Sequence, residues 1–151
     1  MRKFLVSSLL SLMLAPGLAA AADNCATTIE ADDAMKFSKS EIVVPKSCQQ
    51  FTVTLRHVGK MPVSAMGHNW VLTKEADMQS VATAGIQAGL DKNYLPPNDQ
   101  RVIAATKMIG GGEEASVTFD VANLTPGEPY TFFCSFPGHW AIMKGTVKLA
   151  D

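Results

Sequence analysis

In the stretch QQFTVTLR, Phe51, Val53 and Leu55 alternate with Thr52, Thr54 and Arg56, and in EASVTFDVANL, Ala115, Val117, Phe119 and Val121 alternate with Ser116, Thr118 and Asp120. Successive side chains of an extended chain point to opposite faces, so a period of two over such lengths marks strands with one face buried. EIVV, NWVLT, RVIAAT, YTFFC and GTVKL are shorter candidates of the same kind. The segment between Cys25 and Cys48 as a whole reads as two short strands with a connection. Gly and Pro punctuate the pattern at VGKMP, IGGGEE, LTPGEP and FPG. Many short strands separated by turn signals predict an all-β sandwich.

One segment has a different period. In KEADMQSVATAGIQAGLD, Met78, Val81, Ala82, Ile86 and Leu90 recur at three- and four-residue spacing. That is a helical stripe, weakened by Gly85 and Gly89. It predicts one short helix inserted between strands, its apolar side against the sandwich, with LDKNYLPPNDQ as the loop leaving it.

The first residues belong to another category. Arg2 and Lys3 precede a short apolar run from Phe4 to Leu14, Pro16 and Gly17 break it, and small residues follow. This reads as a secretory signal peptide over residues 1–21, cleaved near Ala20–Ala22, ahead of a single exported domain over 22–151. The run is too short to cross a hydrocarbon layer of ~30 Å, and no later segment approaches the ~18 apolar residues a span requires. Loss of Arg2 and Lys3 takes the basic count from 13 to 11 against 14 acids, so the exported domain carries about three net negative charges. Without clustered Lys or Arg, nucleic-acid binding is disfavoured.

Three cysteines in an exported chain allow one disulfide and leave one thiol. Joining Cys25 to Cys48 would close a loop of about 24 residues and contribute roughly 3 kcal/mol in the chain-entropy model. Cys134 is then the remainder. A lone cysteine is usually a small buried hydrophobe, so its neighbours decide. CSFPGHWAIM places Cys134, His139 and Met143 on one loop between strands, spaced Cys-x4-His-x3-Met. A thiolate and a thioether are soft ligands and an imidazole is borderline, a mixture that suits copper, above all two His and one Cys in a plane with a long axial Met. The chain has three histidines, His57, His68 and His139. His68, in MGHNWVL, opens a strand candidate and follows Gly67, which has no side chain to keep its carbonyl from an ion. Trp70 follows by two and should share the face of His68. A thiol enzyme with Cys134 activated by His139 would leave His68 and Met143 without a role. A multicopper oxidase needs His-x-His clusters, which the sequence lacks.

MGHNWVL, CSFPGHWAIM, TFFC and the Cys25–Cys48 pair together resemble the azurins, blue-copper proteins of the bacterial periplasm, from about Asn24 to Leu149. The resemblance implies an eight-stranded Greek-key β-sandwich of the cupredoxin type with one short inserted helix. It implies one copper ion held by Cys134, His68 and His139, with Met143 a long axial ligand on one side and the Gly67 backbone oxygen weakly on the other. Asn69 would tie the two ligand-bearing segments together, and the N–H groups of Asn69 and Phe136 would donate to the Cys134 sulfur, raising the potential. With no open position, the implied role is a periplasmic electron carrier, not an enzyme; a copper-binding or storage module is the alternative. Implied partners are small redox proteins, such as c-type cytochromes or a periplasmic reductase, met briefly by a monomer. They would dock on an apolar patch of Met35, Met61, Ala65, Met66, Phe136, Pro137, Gly138, Trp140, Ala141 and Ile142. Trp140 stands where azurins usually carry a small residue, and is expected to enlarge that patch or narrow partner choice. His57 would lie near the copper but off it, coupling its protonation to the redox state.

Overall fold

A computed structural model describes residues 24–150; the expected signal peptide, residues 1–21, lies outside the described residues. The alternating stretches become strands: β1 (Ala26–Ala31), β2 (Glu41–Pro45), β3 (Gln50–His57), β4 (Val71–Lys74), β5 (Ala104–Ala105), β6 (Glu114–Asp120), β7 (Tyr130–Phe133) and β8 (Lys144–Ala150). They form a three-stranded sheet in the order β1-β3-β6 and a five-stranded sheet in the order β2-β8-β7-β4-β5. β1 runs parallel to β3 and β2 parallel to β8; the other pairs are antiparallel. This is the all-β sandwich that the alternation predicts.

Register follows from which face is buried. Phe51 opposes Phe119, Val53 opposes Val117 and Leu55 opposes Ala115. Between them, Thr52 meets Thr118 and Thr54 meets Ser116 through hydroxyl hydrogen bonds of 2.8 Å on the outer face. A slip of one residue would turn the apolar row outward, so burial pins the pairing. Inside the sandwich Trp70 stacks on Phe132 and Phe119, with ring centroids 5.9 and 6.3 Å apart. The Cys25–Cys48 disulfide, Cα atoms 5.7 Å apart, fastens the start of β1 to the entry of β3.

β4 is buried on both faces at Val71, Leu72 and Thr73, which explains the apolar run Trp70–Leu72 that leads through its start. Trp70 and Leu72 point into the sandwich. Val71 points the other way and joins Phe133, Val81 and Ala82 in a second cluster. That cluster is covered by α2 (Met78–Ala88), the inserted helix, reached through a 3-10 turn at Glu75–Asp77. The helix does not bury the whole predicted stripe. Val81, Ala82 and Gly85 are buried, whereas Ile86 is 43% exposed. Gly85 lies against the returning loop, where a Cβ would fall 2.0 Å from the Tyr94 carbonyl oxygen. The glycine read as a weakness is therefore the contact point.

Three further details depart from the sequence reading. A one-turn helix, α1 (Val63–Met66), directly follows the VGKMP turn, in a stretch to which the sequence reading gave no element. RVIAAT yields only the two residues of β5, although Ile103 and Thr106 still donate to the Leu72 and Trp70 carbonyls at 2.9 and 3.0 Å. The long alternation after Glu114 stops at Asp120, where Val121–Asn123 turns as a 3-10 helix. Among the described residues no helix is long and apolar enough to cross a membrane.

Candidate metal centre

Period two does more than bury a core; it delivers polar side chains to one end of it. The inward row Phe51, Val53, Leu55 of β3 continues to His57. The row of Leu72 and Trp70 continues back to His68, and that of Phe132 continues to Cys134. His68 is fixed by a two-way bridge to Ile109, its N–H donating at 3.0 Å and its carbonyl accepting at 2.8 Å. His57, His68, Cys134, His139 and Met143 are all buried.

His68, Cys134 and His139 offer ligand atoms that all lie within 4.8 Å of one another. The Cys134 Sγ is 3.8 Å from His68 Nδ1 and 3.6 Å from His139 Nδ1. A first-row ion such as zinc, with bonds of about 2.0–2.1 Å to nitrogen and about 2.3 Å to sulfur, sets S···N edges of roughly 3.6–3.8 Å. The two edges that meet at the sulfur thus have the length such an ion requires. The mixture of thiolate and imidazole suits copper. His68 Nε2 faces the Asp32 carbonyl at 2.8 Å, so Nε2–H donates there and Nδ1 keeps its lone pair for an ion.

The remaining expected ligands, Gly67 and Met143, both have backbone atoms close to Cys134. The Gly67 carbonyl oxygen is 3.8 Å from the Cys134 sulfur. Glycine is required at 67 for a reason the sequence did not show: a Cβ would fall 2.5 Å from the Val63 carbonyl. Met143 is buried in the same cluster as Cys134, and its carbonyl accepts the Cys134 N–H at 3.0 Å. Its own N–H donates to His139 at 2.8 Å, so the turn folds back on itself.

Burial sets the protonation states. The Cys134 thiol is pushed up to about 12 by desolvation, against hydrogen bonds from the Asn69 and Phe136 amides that favour the thiolate. Those are the two donors that the sequence reading names. Burial lowers His139 to about 4, helped by charge on His68. Burial also lowers His68, against the bond to the Asp32 carbonyl. Both rings are therefore neutral at pH 7 and ready to ligate.

Asn69 connects the two segments. Its Oδ1 accepts the Ser135 N–H at 2.8 Å, and its Nδ2 donates to Ser135 Oγ at 2.8 Å and to the Asn93 carbonyl at 3.1 Å. Asn93 was not singled out in the sequence. Its carbonyl also accepts from Ser135 Oγ at 2.9 Å, and its Oδ1 accepts the Met108 N–H at 2.8 Å. It sits in the left-handed region, φ 55°, which asparagine tolerates better than most residues. That preference was the only local signal, and it does not distinguish a tether from an ordinary turn.

His57 stacks on His68 with ring centroids 4.4 Å apart. Its Nε2 donates to the Met66 carbonyl at 2.8 Å, and its Nδ1 accepts the Gly59 N–H at 3.1 Å. Both nitrogens are thus used in the neutral ring.

The expected docking residues divide. Met61, Ala65, Gly138, Ala141 and Ile142 are exposed, Ile142 most of all at 63%. Met66, Phe136 and Pro137 are half-buried. Met35 packs on the main core, and Trp140 packs on the second cluster beneath α2. Met108, absent from the expected set, is buried against Gly67.

A β-sandwich that closes a buried His-Cys-His triangle between two strand ends is the architecture of a small copper protein. The family model described as copper-binding proteins, plastocyanin/azurin family, matches residues 23–150, and the chain belongs to that family. Its relatives include the azurin of Achromobacter denitrificans, 61% identical over 96% of this chain and 97% of the relative. The azurin of Pseudomonas aeruginosa is 57% identical over 99% of both chains. Among solved structures, an azurin of the methylotroph Methylomonas sp. strain J aligns with TM-score 0.83 and 51% identity, covering 85% of this chain and all of that one. The fold is accordingly the cupredoxin sandwich.

Proposed function

We propose that this chain carries single electrons through one blue copper between redox proteins in the periplasm. His68, Cys134 and His139 would hold the ion, with Met143 and the Gly67 backbone oxygen as weaker proposed ligands. Bound copper supplies a one-electron couple, Cu(II)/Cu(I). The chain supplies a fixed, dry seat for it. The observation that carries this reading is burial: His68 and Cys134 are fully buried, and Met143 and His139 are 1% and 4% exposed. A substrate has no route to such a site, whereas an electron needs none, so the proposal includes no enzymatic turnover.

The exposed apolar residues Met61, Ala65, Ala141 and Ile142 support docking of partners near His139. Such contacts are small, on the order of 1,200 Å² or less, and brief. Small c-type cytochromes or a periplasmic reductase fit that description, met by a monomer. Residues 1–21 would direct export and be removed near Ala20–Ala22. Rapid electron exchange with a c-type cytochrome, measured by stopped flow, supports the carrier. Tight copper capture with sluggish exchange would instead make the protein a storage module.

His57 gives this reading a pH dependence. Protonation of Nδ1 would break the bond from the Gly59 amide and add a positive charge on the ring stacked against His68. Asp33, whose carboxylate lies 3.8 Å from His57 Nε2, offsets part of that charge; its pKa is held low chiefly by the Lys60 amide. Positive charge beside the site disfavours Cu(II), so the reduction potential should be higher with His57 protonated, and should rise as pH falls. His57→Gln should flatten the curve. An unchanged slope in that variant, read by voltammetry, would remove His57 from this role.

A further inference from the structure

We infer that Trp140 is a positioning residue that fastens the ligand-bearing turn 135–143 to the inserted helix. The inference rests on the proposed ligand role of that turn, and it starts from how the turn is held. At its beginning, Ser135 is gripped by Asn69 and Asn93. At its end, the Met143 carbonyl accepts the Cys134 N–H and β8 begins. The middle has weaker support. Gly138, Ala141 and Ile142 are exposed, and the internal bonds His139 N–H to Phe136, Ile142 N–H to His139 and Met143 N–H to His139 are local, at 2.9, 3.1 and 2.8 Å.

Two aromatic rings hold that middle. Phe136 packs on the main core and lies 4.6 Å from the His139 ring and 5.3 Å from Tyr94. Trp140 packs on the other side, against the cluster of Val71, Val81, Ala82 and Phe133. Val81 and Ala82 belong to α2, Val71 to β4 and Phe133 to β7, the strand that leads directly to Cys134. Through that cluster Trp140 links the turn to the helix and to the two strands whose ends adjoin His68 and Cys134. The insertion, reaching Ser135 through Asn93 and residue 140 through its own apolar face, braces the turn at two points.

Partial burial of an indole is worth enough for about a tenfold change in local opening. In the metal-free protein, Trp140→Ser should speed amide hydrogen exchange at His139, Ile142 and Met143 by about that factor, and Trp140→Phe should retain most of the protection. Val81→Ala, which thins the helix side of the contact, should loosen the same amides. Leu124→Ala, beside Cys48 at the other end of the sandwich, should lower global stability without selecting this turn. In the copper-loaded protein, Trp140→Ser should release copper to a chelator about tenfold faster with its visible band retained. Unchanged turn exchange in both Trp140→Ser and Val81→Ala, or a change no more selective than that of Leu124→Ala, would overturn the inference. A wild-type protein without a blue band would instead sink the copper reading and leave the metal-free arm to judge Trp140.

Discussion

Between pH 7 and 9 the affinity of the metal-free protein for copper should rise tenfold per pH unit, about a hundredfold in all. The sign follows from the groups that face the ion. Cys134, raised by burial to about 12, is a thiol throughout this window and must shed its proton to bind. His139, lowered to about 4, and His68, lowered from its ordinary 6.5, are already neutral. One proton therefore leaves for each ion bound, and log K has a slope of one. As the pH falls towards about 4, the His139 imidazole begins to compete and the slope steepens. Chelator competition, corrected for protonation of the chelator, measures this directly. A flat line between pH 7 and 9 would mean that the thiol is ionised before metal arrives, and the buried, protonated cysteine described above would be wrong.

Gly85→Ala should destabilise the protein by about 1–3 kcal/mol, although helix propensity alone favours alanine by about 1 kcal/mol. Packing decides the sign. The added Cβ would fall 2.0 Å from the Tyr94 carbonyl oxygen and 2.8 Å from its carbon, and these are backbone atoms that cannot rotate away. Either α2 lifts from the second cluster or the loop through Tyr94 moves, and Asn93 moves with it. Urea unfolding measures the net effect. A more stable Gly85→Ala protein would show that propensity outweighs this contact and that α2 is not seated as described.

The Gly85 contact also marks a limit of what the sequence shows. Period two exposed the rows Phe51–Leu55 and Ala115–Phe119, because each residue there answers to one buried face. It placed Trp70 with His68 on the same side, and both are buried. The helical stripe was legible in Met78, Val81 and Ala82 but misjudged Ile86, since the seat of α2 depends on the loop through Tyr94 that returns against Gly85. Short-range spacing joined Cys134, His139 and Met143. Bringing His68 to them required a chain crossing that no local pattern encodes; the ligand chemistry and the Gly67–His68 pair pointed to it, and the family resemblance agreed. Asn93 stayed invisible for the same reason. Its role comes from partners at 69, 108 and 135, and an asparagine in a polar loop has no signature that names them. The same limit applies to Trp140, which reads as a docking residue from its place beside His139 and packs under a helix in three dimensions.

The visible spectrum of the oxidised, copper-loaded protein and of its Cys134→Ser variant tests the central claim most directly. A cysteine sulfur bonded to copper gives an intense blue thiolate-to-metal charge-transfer band, and that band should be present in the wild type and gone in Cys134→Ser while the sandwich stays folded. A copper-loaded wild type without the band, or a Cys134→Ser protein that keeps it, would contradict the account.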